Sequence, residues 1–178
     1  MRFLSYAALA AYIGTVYGAN WALRKFGVVS IGFGLTAPAG VFFAGLALGL
    51  RDFVQEGLGR AAVVFAILAG AGLSWWLGAN GTIPGGHVSL ALASGTAFLL
   101  SELADFSVYT PLRERTVAGG IVASNVVGAI VDSALFLWLA FGSLEFFAGQ
   151  FVGKTLMTLP ALAALAGWRA WSAQARPA

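Results

Sequence analysis

The sequence contains no cysteine and a single histidine. Disulfides, thiolate metal sites and cysteine nucleophiles are thereby excluded, and one histidine without a thiol makes no convincing zinc site. Charge is scarce as well. Only 10% of the 178 residues are Asp, Glu, Lys or Arg, against about 25% in an ordinary soluble domain. No phosphate-binding loop or dinucleotide fingerprint occurs, so any ATP hydrolysis has to come from another chain. Ser94-Gly95 makes no serine hydrolase, because no histidine lies at a matching depth. What the chain has in quantity is apolar surface: 60% of it is hydrophobic, and 24 residues are glycine. That balance excludes a disordered chain and a basic nucleic-acid-binding tail. It implies an integral membrane protein and excludes most soluble enzymes; an intramembrane enzyme is poorly supported because no nucleophile–base set is visible, and no cofactor or metal site is expected.

A hydrocarbon core of about 30 Å takes about 20 apolar residues per helix. Six stretches qualify, at about 3–23, 33–51, 61–78, 88–109, 117–141 and 146–168. The alternation of a barrel strand is missing from all of them. The expected fold is therefore all-α: a compact bundle of six transmembrane helices forming one domain over residues 1–178. The first stretch, with Arg2 ahead of it, has some features of a signal peptide, but it runs on through Trp21 to Arg24-Lys25 as a retained span does.

With six spans, one side of the membrane receives Arg2, Arg51, Arg60, Arg113, Arg115, Arg169 and Arg176, and the other only Arg24 and Lys25. This bias places both termini in the cytoplasm. Trp21, Trp75, Trp76, Trp138, Trp168 and Trp171 all fall near expected helix ends, where the indole prefers the interface. Gly14 and Gly18 form a small-xxx-small pair. Such a pair serves helix packing inside the bundle, or docking of a second copy or a membrane partner.

The informative residues are those a span should not contain, because an ionisable group inside a bilayer is costly unless paired or wet. Asp52 and Glu56 lie one turn apart at the expected end of the second span, as interfacial charges or, with Tyr109 of the fourth, as gating and coupling groups. Glu102, Asp105 and Tyr109 follow a three-then-four spacing and form one stripe on the fourth span. Asn125 and Asp132 share a face of the fifth. Lys154, with Gln150 one turn before it, is the obvious partner for Asp132, either as a structural pair or as a gate. By counting along the helices, Asp132 and Lys154 fall in the outer half, and Asp52, Glu102 and Asp105 in the inner half. His87, after Pro84-Gly85-Gly86, reads as a loop residue before it reads as a proton relay.

These residues carry a resemblance. Asp52, Glu56 and Gly59 are similar to the D-x-x-x-E-x-x-G motif of the VUT family, the queuosine precursor transporters. Ser101 to Asp105, continuing through Tyr109 to Leu112-Arg113, resembles that family's S-Q-x-x-D-x-x-x-F-x-x-L-R, with Glu102 in place of Gln and Tyr109 in place of Phe. Asn125, Asp132-Ser133 and Phe136, then Lys154 and Pro160, match its last two spans. The likeness covers roughly residues 35–165. The family in turn resembles the six-helix substrate-binding components of energy-coupling-factor vitamin transporters.

The resemblance implies import of a 7-deazaguanine, such as the 7-cyano or 7-aminomethyl compound or queuine, across the plasma (inner) membrane of a prokaryote. A guanine-like edge presents an N–H beside an amino group, which a carboxylate accepts in a bidentate way. Glu102, Asp105 and Asp132 are the acids for that task. Asn125 and Gln150 offer both donor and acceptor, and Lys154 completes the expected substrate-binding set. Two alternatives stand beside this reading: a vitamin-type binding component driven by a separate ATPase module, and an interaction subunit that transports nothing. The latter requires every buried charge to be paired internally and no pocket to remain.

Overall fold

The computed structural model describes residues 2–79 and 88–174. Six helices occur among them: α1 (Arg2–Phe26), α2 (Val41–Leu58), α3 (Arg60–Ala79), α4 (Val88–Leu112), α5 (Val117–Phe141) and α6 (Phe147–Gln174). Three are long and apolar enough to cross a membrane, over Arg60–Leu77, Leu90–Leu112 and Val117–Phe141. α2 carries Arg51, Asp52 and Glu56 within its 18 residues, which dilutes its apolar character.

The second expected stretch needs correcting. Residues 33–51 do not form the helix, which begins at Val41 and runs seven residues further, to Leu58. Ahead of it lies an antiparallel hairpin, β1 (Val28–Gly32) with β2 (Leu35–Pro38). Its second half, from Phe33 through Leu35 to Pro38, reads as the start of a helical span. The β-branched run broken by Gly-Phe-Gly is nevertheless a hairpin signal. Gly32, Phe33 and Gly34 all have positive φ, which two glycines supply without steric cost. Asp52 therefore sits inside α2, and Glu56 in its last turn.

α5 shows how local chemistry sets a boundary. Thr116 caps its start, its hydroxyl accepting from the Gly119 N–H at 3.1 Å, and left-handed Gly142 closes its end. The helix observed, Val117–Phe141, coincides with the stretch expected from the apolar run.

Small residues bring the helices together. A side chain on Gly45 of α2 would sit 2.8 Å from the Lys154 Cα of α6, and one on Gly128 of α5 would sit 3.0 Å from the Asp105 carboxylate of α4. Gly149 abuts the Thr36 carbonyl, fastening the hairpin to the start of α6. Gly18 faces the Phe43 ring and so serves the bundle's own packing, whereas Gly14 has no neighbour within 4 Å. Between α1, α2 and α3, Tyr12, Ala47, Val54, Val63, Ala66 and Ile67 form the apolar core.

A Gly45→Val variant is expected to lose roughly 1–3 kcal/mol, since backbone and not a flexible side chain opposes the added atoms. Gly14→Ala is the matched control and should leave stability unchanged. Thermal unfolding of the two variants in detergent checks this.

The outer faces are apolar. Phe65 and Leu68 on α3 and Trp138 on α5 are about 60% exposed, at 62%, 58% and 63%. Trp21, Trp75 and Trp76 are also exposed near helix ends, as interfacial indoles are. His87 and Arg176 lie outside the described residues.

Candidate functional site

The charged groups turn inward and gather in two layers, named inner and outer for the sidedness that the charge bias of the sequence implies. The inner layer is built on Arg51, whose whole side chain is buried. Its guanidinium donates to Asp52 and contacts Asp105. Glu102 lies 4.0 Å from its Nε, and the Ser124 hydroxyl 3.5 Å from a terminal nitrogen. Asn125 donates to the other Asp52 oxygen at 3.3 Å. Helix periodicity explains the convergence. Glu102 and Asp105 are three apart on α4, Ser124 and Asn125 are adjacent on α5, and α2 lays Arg51 and Asp52 against both.

Below this layer the Tyr109 ring lies 5.3 Å from the Arg51 guanidinium carbon, close enough for a cation–π contact. Its hydroxyl donates to Glu56 at 2.9 Å, and the same Glu56 oxygen accepts from Arg113 Nε at 2.8 Å. Glu56 thus joins α2 to the turn between α4 and α5.

The outer layer is built on Lys154. Its three ammonium protons have three partners: Asp132 at 2.5 Å, Gln150 at 2.7 Å and Ser133 at 2.8 Å. Ser101 donates to the other Asp132 oxygen at 3.4 Å. The pairing of Lys154 with Asp132 expected from the sequence is present.

Asp132 and Gln150 also line a pocket between α1, α2, α4, α5 and α6, together with Asn20, Ser94, Phe98 and Phe136. Its volume is about 50 Å³, enough for roughly three or four water molecules. A bicyclic ring enters only if the walls part. The six expected substrate-binding residues are therefore split between two places. Asp132 and Gln150 face the pocket, with Lys154 directly behind them. Glu102, Asp105 and Asn125 belong to the inner layer. Of the expected gating residues, Asp52 joins that layer, and Glu56 and Tyr109 lie beneath it.

Sequence reasoning missed Arg51, which it assigned to a loop. The signal that could have found it was the adjacent Arg-Asp pair after a ten-residue apolar run, with two further acids on α4 needing a cation. Asn20, Ser94 and Phe98 were missed too, because single polar or aromatic residues in apolar helices carry no pattern.

Apolar faces outside and ionisable groups inside, next to a pocket, mark a helical membrane protein with a polar interior. Residues 38–166 match the model of the VUT family, described as "Putative vitamin uptake transporter", and the chain belongs to that family. No curated protein and no solved structure matches the chain. Membership makes this a vitamin-uptake-type transporter.

Proposed function

We propose that the protein imports a queuosine precursor, a 7-deazaguanine, as a six-span carrier of a prokaryotic plasma membrane with both termini in the cytoplasm. The observation that carries this reading is the pocket chemistry. A carboxylate (Asp132), two amides (Asn20 and Gln150) and two phenyl rings (Phe98 and Phe136) border one space. A guanine-type edge needs an acceptor for adjacent N–H groups and a donor–acceptor pair for its carbonyl side. A flat ring needs apolar or aromatic faces. The pocket holds all of these. Lys154 and Ser101 orient the carboxylate from behind, and Lys154 Nζ has no remaining proton to offer a cargo.

The pocket itself argues against the non-transporting subunit, which requires none. A separate ATPase module remains compatible with the fold, since energy input and cargo recognition are separable functions.

Purified protein should be stabilised thermally by a 7-deazaguanine and not by guanine or riboflavin. A ligand that binds only the folded state raises stability by about 2.7 kcal/mol at a concentration of about 100 Kd. The stabilisation should vanish in Asp132→Asn. No shift with any deazaguanine, in protein shown to be folded, would refute the cargo assignment.

A further inference from the structure

The inner layer has an imbalance that the pocket does not explain. Asp52, Glu102 and Asp105 are 0–1% exposed, and the one cation among them is Arg51, also fully buried. Three carboxylates against one guanidinium leave an excess of negative charge where water is excluded, and low-dielectric surroundings do not tolerate that. Hydrogen bonding within the cluster is incomplete. Asn125, 5% exposed, uses its amide N–H on Asp52, and its Oδ1 is buried with no hydrogen-bond donor among the described residues. Glu102 Oε2 and Gln55 Oε1 are in the same condition, and so, as donors, are Arg51 Nε and the Tyr12 hydroxyl. No group of three His, Asp or Glu among the described residues is arranged to hold a metal ion. A proton on a carboxylate oxygen lowers the excess negative charge and lets neighbouring acids share an O–H···O hydrogen bond.

The cluster also sits midway along a string of polar groups. From the pocket, Asp132 accepts from Ser101, the neighbour of Glu102 on α4. On the far side, Tyr109 lies against Arg51 and donates to Glu56, which meets partly exposed Arg113. The titratable or charged groups facing the cluster are Tyr12 from α1, which lies against Glu102, Arg51 from α2 and Tyr109 from α4. α5 contributes the neutral Ser124 and Asn125. Asp132–Lys154 and Glu56–Arg113 flank it on either side.

We propose that the Asp52–Glu102–Asp105 cluster is a proton-carrying site that couples import to the proton gradient. This rests on the transport reading for its cargo but not for its protons. A proton from the outer aqueous phase bonds to a carboxylate oxygen of the cluster. In the inward-open state that O–H bond breaks and the proton passes to cytoplasmic water. Nothing is oxidised or reduced, and Arg51 keeps its charge throughout.

Two measurements test it. Infrared spectroscopy of the protein in lipid at neutral pH should show the carbonyl band of a protonated carboxylic acid. The band should be weakened in Glu102→Gln and in Asp105→Asn and kept in Glu102→Asp. Absence of the band in the wild-type protein overturns the inference whatever the cargo is. In proteoliposomes loaded with a pH-sensitive dye, external queuine should acidify the lumen. Its uptake should rise several-fold with an inward proton gradient and not with an inward sodium gradient. Uptake without acidification, or driven by sodium, overturns the coupling and leaves the carrier reading intact. An infrared band with no uptake of any deazaguanine under either gradient refutes the cargo reading and, with it, the coupling.

Discussion

Arg51→Met should be the most damaging single substitution in the chain. It leaves Asp52, Glu102 and Asp105 together with no cation, all of them buried. Removing one partner of a buried ion pair costs about 3–5 kcal/mol, because the remaining charge has neither water nor counter-charge. Here three acids lose the same partner, so the expected loss lies at the upper end of that range. Arg51→Lys should recover only part of it. An ammonium is a compact point charge with three donors, whereas the guanidinium reaches Asp52, Asp105, Glu102 and Ser124 at once through a planar fork. Thermal unfolding in detergent, together with the yield of monodisperse protein, ranks the three chains. If Arg51→Met were as stable as the parent, the acids would not depend on that guanidinium.

Lys154→Met should have the next largest effect. It abolishes three hydrogen bonds and strands Asp132 beside the pocket. The expected loss is again about 3–5 kcal/mol. A second substitution separates packing from function. Lys154→Met with Asp132→Leu replaces the whole pair by apolar groups, which is often neutral for stability or better. The double variant should therefore unfold close to the wild-type temperature, yet bind no deazaguanine. Restored stability with retained binding would make the pair a structural device and remove Asp132 from cargo recognition.

These two residues mark the limits of reading the sequence. Lys154 stood out because a lone lysine in an apolar stretch demands an acid, and Asp132 was the one acid of the neighbouring span. The Glu102, Asp105 and Tyr109 stripe was legible for a similar reason, since a three-then-four spacing is a property of the helix alone. Arg51 obeyed the same logic but sat next to Asp52 and close to Gln55 and Glu56. A run of polar residues reads as a helix end, and it took the hairpin, which starts α2 later than hydropathy implies, to draw that run into the bundle. The hairpin itself escaped because its residues are as apolar as those of a span. The division of the expected site into a pocket layer and an inner layer depends on which helix faces meet. That is a property of tertiary packing and leaves no trace in local spacing.

The hairpin has a practical consequence for anyone who wants to watch this protein. Phe33 at its tip is 87% exposed, and the chain has no cysteine of its own. A thiol introduced at the tip is therefore unique in the molecule, and its reaction with a reagent that cannot cross lipid reports whether the tip meets water. The aqueous compartment from which that thiol is labelled in intact cells is the one the hairpin faces, and with it the sidedness of every helix in the bundle.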